Sequence, residues 1–184
     1  MNKLKFLGES LKNLRTVGTF TRSSQFLCEK MVRYVDFENS KVLVELGAGD
    51  GVVTEHILKN MRDDALLLTF EVNEKFCKTI EEKITDPRVR VIQDSAENLP
   101  KYLKQYNLEE VDNIISAIPF VSLPDEIGKN LIKTSVENLK TNGRFIQINY
   151  SLLAKKLYEQ FFDNIEVHFE ARNMPPAFVF ECYN

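Results

Sequence analysis

From Lys41 onward, short apolar runs alternate with segments whose apolar positions recur at helical spacing. KVLVEL (41–46), ALLLTFEV (65–72), RVRVIQD (88–94), VDNIIS (111–116) and RFIQINY (144–150) are rich in Val, Ile, Leu and Phe and read as buried strands. Between them, GVVTEHILKNM (51–61), residues 74–85, DEIGKNLIKTSVENL (125–139) and SLLAKKLYEQF (151–161) read as helices. Ile127, Leu131 and Ile132 share one side of the third, and Ser151 is placed to cap the last. Asn142-Gly143 marks a turn into the fifth strand. NIEVHFEA (164–171) and AFVFECY (177–183) are two further strands, joined by RNMPP with no room for a helix. The alternation predicts an α/β, doubly wound sheet of seven strands, mostly parallel and covered on both faces, with an antiparallel terminal strand. Ligands of such sheets bind beyond the carboxyl ends of the strands.

At 184 residues with 43% apolar and 28% charged positions, the chain is expected to form one domain. It holds no apolar run long enough to span a bilayer, and its N-terminus does not read as a secretion signal. Cys28, Cys77 and Cys182 are odd in number and far apart, which suits reduced cytoplasmic thiols. His56 and His168 stand alone in the sequence, so no metal is expected. The net charge of −3 is unevenly spread: Lys3, Lys5, Lys12, Arg15 and Arg22 face only Glu9 in residues 1–24. On a helical projection Leu4, Leu7, Leu11 and Leu14 cluster, with Phe6 and Val17 at the margin and Lys5 and Lys12 opposite. Residues 1–24 therefore read as a basic amphipathic arm on an anionic membrane surface, and 25–184 as the single domain. That places the protein in the cytoplasm, peripherally on the inner face of the membrane. The same leucines also suit a helix packed on its own domain.

The strand ends carry the chemistry. VELGAGDGVVT (44–54) runs strand, glycine turn, helix, and Gly47 and Gly49 let the backbone approach a ligand closely. Glu71 ends the next strand, where a carboxylate can accept from both hydroxyls of a ribose. Asp94 ends the third, where it can accept from an adenine amino group. On these residues, positions 41 to about 150 resemble a class I S-adenosylmethionine-dependent methyltransferase, with its Rossmann-like fold. The resemblance implies that Glu45, Gly47, Ala48 and Gly49 surround the methionine end of S-adenosylmethionine. It implies likewise that Glu71 and Val72 hold the ribose, that Asp94, Ser95 and Ala96 face the adenine, and that Ser24 contributes from the N-terminal side. Asp50 stands where a threonine or serine often follows the second glycine.

SAIPFVSLP (116–124) follows the fourth strand, and in this class that loop lies beside the transferable methyl. Pro119 is expected to stiffen it, Ser116 and nearby carbonyls to accept from an amine, and Phe120 to offer an aromatic face. The two prolines leave no helix between them. A proline turn with Phe120 filling the core is the plainer alternative. Adenine-N6 methyltransferases carry an Asn-containing motif here, and Ser116-Ala117-Ile118-Pro119-Phe120 supplies no side-chain amide. Bacterial phospholipid N-methyltransferases resemble more of the chain: a basic N-terminal helix, Ser23-Ser24, AIPFVSLP (117–124) and Asn173-Met174-Pro175-Pro176-Ala177. That resemblance implies a lipid amine substrate and no nucleic acid. It departs at Phe178, where the family typically has an Arg that would suit lipid phosphate, so an aminolipid without phosphate stays open and Arg172 is the alternative cation. Methylated ammonium products suit an aromatic enclosure, for which Phe20, Phe120 and Tyr150 are the candidates, with Tyr150 also placed to orient the amine. Adenine-N6 methylation and a non-catalytic membrane- or partner-binding module are the competing readings.

Overall fold

The structure is a computed structural model that describes residues 23–184. The basic arm, apart from Ser23 and Ser24, and with it Phe20, lies outside the described residues.

Seven strands form one sheet: β1 (Val42–Leu46), β2 (Leu66–Phe70), β3 (Val89–Ile92), β4 (Val111–Ser116), β5 (Leu139–Asn149), β6 (Asn164–Glu170) and β7 (Ala177–Tyr183). Their order across the sheet is β3-β2-β1-β4-β5-β7-β6. The first five pair in parallel, and β7 pairs antiparallel with both β5 and β6. The last strand of the sequence is therefore inserted between β5 and β6, with β6 at the edge. Phe145, Phe180 and Cys182 bury their side chains on one face of β5 and β7, and Ile146, Ile148 and Val179 on the other, which is what a central position demands.

Two apolar layers sandwich the sheet. One face carries α1 (Gln25–Val32), α2 (Val52–Asn60) and α3 (Glu74–Lys83); Leu27 and Met31 of α1 and Val53 and Ile57 of α2 pack there on Leu43, Leu67 and Ile146. The other carries α4 (Leu99–Gln105), α5 (Asp125–Asn138) and α6 (Lys155–Tyr158), where Leu103, Leu131, Ile132 and Tyr158 meet Val44, Leu68 and Phe145. The sheet is thus doubly wound, as expected. Its carboxyl edge gathers the ends of β1–β6 and, because β7 runs backwards, the start of β7.

Some elements differ from the expectation. Asn142-Gly143 does not turn into the fifth strand but sits inside β5, at a register shift that sets Val111 against Leu139 and Asn113 against Arg144. A Cβ at Gly143 would stand 2.8 Å from Asp112 O, so the irregularity brings two backbones together there. The expected helix 151–161 is a 3-10 turn over Leu152–Ala154 followed by the single turn of α6. Ser151 does cap it, its Oγ accepting from Leu153 N at 3.2 Å. Helix α4 has no counterpart in the predicted elements; its seven residues are too few to display a period, although Pro100 sits in its first turn, where a proline suits a helix start.

Candidate active site

The glycine turn leaves β1 with three consecutive odd-numbered positions in left-handed backbone: Gly47 at φ 76°, Gly49 at 61° and Gly51 at 84°. Any other residue is strained there. A Cβ on Gly47 would also stand 2.9 Å from Ile118 Cγ1, so this turn and the loop after β4 approach as closely as backbone allows. Gly47 N and Ala48 N donate to Phe70 O at 2.8 and 3.2 Å, carrying the β1–β2 ladder past the strand end.

Glu71 locks the same turn from the neighbouring strand. Its Oε2 accepts from Gly49 N at 2.8 Å and its Oε1 from Asn73 N at 2.9 Å, and the carboxylate is buried. Two carboxylate oxygens offer about four acceptor sites, so lone pairs remain for hydroxyl donors. Asp94 is more heavily committed. Its Oδ1 accepts from Ser95 N and Asn98 Nδ2, both at 2.8 Å, and its Oδ2 from the Tyr102 hydroxyl at 2.9 Å, with Lys101 Nζ at 3.5 Å. Burial opposes its charge, but these donors outweigh it and hold the carboxyl below the usual range. Ser95 and Ala96 are buried beneath it, Ser95 Oγ accepting from Glu97 N, while Val72 packs against the α4–α6 layer.

Glu45 is the strained member. It is 2% exposed, lies beside Thr69 in the β1–β2 register, and its Oε2 accepts from Thr54 Oγ1 at 2.6 Å. Its Oε1 is buried with no hydrogen-bond partner, as is Thr69 Oγ1. The Thr69 hydroxyl is near enough to favour the charged form, yet the two do not complete a bond. Burial dominates, and with repulsion from Glu71 and Asp50 it pushes the carboxyl up to about 7. An acid this costly to ionise marks a place that a cation would relieve. S-adenosylmethionine carries an ammonium and a sulfonium, so the orphaned Oε1 fits its methionine end and the spare lone pairs of Glu71 fit its ribose.

The loop after β4 departs from expectation. Residues 120–122 form a 3-10 turn between the prolines, and Phe120 is 1% exposed. Its ring lies 6.2 Å from Phe145 and 6.3 Å from Tyr158, so it fills the core and offers no aromatic face to a substrate. Ser116 is fully buried and its Oγ accepts from Ile118 N at 3.2 Å, bracing the turn and not facing an amine. The Ile118 carbonyl accepts from Gln147 Nε2 at 2.9 Å and from Phe120 N at 3.0 Å. Gln147 is thus a loop-positioning residue that the sequence reading missed; the alternation of Gln147 and Asn149 with buried Ile146 and Ile148 was its signal.

On the opposite face, Tyr150 directly follows β5 and is partly buried against the α1–α3 layer, hydrogen-bonded to Asn173. Burial raises its phenol above the ordinary range, with the Asn173 bond opposing. Asn173 Oδ1 accepts from Ser24 N at 2.9 Å and its Nδ2 donates to Pro175 O at 2.7 Å, tying the β6–β7 connection to the start of α1. Ser24 Oγ accepts from Leu27 N at 3.2 Å, so that hydroxyl caps α1. The sheet therefore separates Tyr150 from Phe120, and the expected enclosure of the two does not assemble.

His168 does not stand alone. It stacks on Tyr34 with ring centroids 3.8 Å apart and its Nε2 lies 3.1 Å from Glu181, in a cluster completed by Glu166. Arg144 Nη1 holds the other Glu181 oxygen at 3.0 Å. That charge-paired patch lies back from the carboxyl edge, between β6 and β7.

A family model described as "methyltransferase small domain" matches residues 11–174. Among curated proteins, an ornithine lipid N-methyltransferase of Singulisphaera acidiphila is 30% identical over 179 residues, covering 96% of this chain and 93% of its own. Among solved structures, a SAM-dependent O-methyltransferase of Thermotoga maritima superposes with a TM-score of 0.65 at 13% identity, over 95% of this chain and 71% of its own. A precorrin 8w decarboxylase of Methanobacterium thermoautotrophicum gives the same TM-score of 0.65 at 14% identity, over 90% and 93%. The two structures share the fold, and the family match extends over most of the chain, from before α1 to the Asn173 tie. The glycine turn locked by Glu71, beside the unrelieved Glu45, suits such a cofactor, and the chain belongs to the methyltransferase small domain family as an enzyme whose methyl donor is S-adenosylmethionine.

Proposed function

We propose that the protein N-methylates the amine of a lipid whose head group carries no phosphate, an aminolipid of the ornithine-lipid type, at a membrane surface. The observation that carries this reading is what occupies the places where a phosphate-binding cation would stand. Position 178 holds a phenylalanine packed on Phe169, ring centroids 5.2 Å apart. Arg172 is spent on Glu170, its Nε 2.9 Å from Oε1 and its Nη2 3.1 Å from Oε2, and its guanidinium sits 4.1 Å above the Phe26 ring. With its Nε and Nη2 engaged side-on, the guanidinium keeps only its Nη1 end for another anion, next to a carboxylate that repels phosphate. The near full-length relative acts, by its name, on ornithine lipid, which agrees with such a head group.

The cofactor supplies an electrophilic methyl, displaced in line by the amine, so the protein's work is alignment and the exclusion of water. Gly47 and Ile118 set the floor, and Gln147 holds the loop at its carbonyl. The amine must arrive without its proton, which at pH 7 costs about 4–5 kcal/mol for an ordinary alkyl ammonium. Tyr150 is committed to Asn173 on the other side of the sheet, so the amine's proton leaves to water. Incubation with radiolabelled cofactor, pure ornithine lipid and phosphatidylethanolamine tests the assignment. Label is expected in ornithine lipid; label confined to phosphatidylethanolamine, RNA or protein overturns it.

A further inference from the structure

The exposed large apolar side chains of the described residues are Phe26, Val121, Leu152, Leu153, Phe169 and Met174. All of them fall at one edge of the sheet. Val121 sits in the turn after β4, Leu152 and Leu153 in the turn after β5, Phe169 near the end of β6 and Met174 in the connection to β7. Phe26 joins them because the Ser24–Asn173 bond holds the start of α1 against that connection. The strands β4, β5, β7 and β6 are successive neighbours, about 4.8 Å apart, so the turns form an apolar rim along the carboxyl edge on one side of the candidate active site. Leu153 is 80% exposed and Leu152 and Val121 are each 53% exposed. Folding gains nothing from leucines at a turn tip that touch solvent, and Ser151 caps that turn so as to present them. Lys156 and Lys155, the latter 3.7 Å from Glu159, follow within one turn, so basic groups stand behind the apolar tip, the arrangement that suits an anionic bilayer interface.

We infer that this rim, centred on Leu152 and Leu153, inserts into a lipid bilayer containing anionic lipid and presses the active-site mouth onto the membrane. The inference rests on the lipid-amine reading for its purpose, since an amine tethered to acyl chains reaches the methyl donor only if the mouth faces the bilayer. It does not rest on it for its test. The basic arm and the rim are separate devices: the arm attracts by charge, while the rim buries apolar surface and holds when salt screens charge.

The test uses the full chain carrying Leu153→Cys, labelled with an environment-sensitive fluorophore; the described native cysteines are all buried. Lys104→Cys, at the end of α4 on the opposite edge, is the control. Vesicles of phosphatidylcholine and phosphatidylglycerol are expected to blue-shift the Leu153 probe and leave the Lys104 probe unchanged. Flotation of the unlabelled Leu152→Ser/Leu153→Ser variant in about 1 M salt, where screening reaches only about 3 Å, is expected to show roughly tenfold or greater loss of binding. An unshifted Leu153 probe, equal shifts at both positions, or undiminished flotation of the double variant overturns the rim. Methyl transfer to ornithine lipid is read separately, so an enzyme that inserts but labels another substrate refutes the substrate and leaves the rim standing.

Discussion

Glu45→Gln should stabilise the protein at alkaline pH while weakening its hold on the cofactor. The wild-type carboxyl is raised from an ordinary 4.5 to about 7, with burial as the largest cause. A carboxyl whose folded pKa lies above its unfolded value favours the fold while protonated, and that contribution is lost as pH rises from about 4.5 to about 7. Integrated over the shift, ionised Glu45 costs the cofactor-free fold about 3 kcal/mol above pH 7. Glutamine keeps an oxygen for the Thr54 hydroxyl and carries no charge. Urea unfolding should therefore find the variant close to wild type near pH 5 and more stable by up to about 3 kcal/mol at pH 8. Binding should move the other way, because cationic groups beside Oε1 lower the carboxyl's pKa and displace its proton. Calorimetry with S-adenosylmethionine at pH 7, in two buffers of different ionisation enthalpy, should show release of about half a proton by wild type and none by the variant, with weaker affinity. A variant less stable than wild type at pH 8, or equal proton release by both proteins, would refute the assignment of strain to this carboxylate.

Glu71→Gln keeps one acceptor at the turn but loses the charge, so affinity for S-adenosylhomocysteine should fall by roughly tenfold to a hundredfold in calorimetry. Gly47→Ala forces a Cβ into left-handed backbone 2.9 Å from Ile118 Cγ1; it should cost at least about 1–2 kcal/mol in urea unfolding and lower cofactor affinity with it. Phe120→Leu should lower stability by about 1–2 kcal/mol while the folded enzyme keeps its kcat, and a kcat loss without destabilisation would restore the ring to the substrate side. Turnover of the lipid amine should rise tenfold per pH unit from 6 to 8 as the reacting amine deprotonates; a flat profile would require a base within the described site.

The gathering of the candidate cofactor residues was legible in the sequence because each lies at or next to a strand end. Glu45, Gly47, Glu71 and Asp94 stand at positions that the apolar runs alone locate, and backbone direction then puts them on one edge. The substrate end was not, because what decides it is which side of the sheet a loop residue turns to. Phe120 and Tyr150 both follow buried strands on the carboxyl edge, yet one packs with Phe145 and Tyr158 and the other with the α1 layer. No periodicity in five residues between two prolines distinguishes those outcomes. Gln147 shows the converse. A buried amide in a central strand needs partners, and its donation to the Ile118 carbonyl converts an apparently ordinary strand residue into a brace of the loop after β4. The same logic explains the rim: Leu152 and Leu153 have the sequence of a helix start and were read as one, but the chain spends that turn reaching outward, and only Ala154 and Tyr158 return to the core. Leucines that a helix would bury are left exposed at the carboxyl edge, the surface that the proposed lipid substrate would require to be apolar.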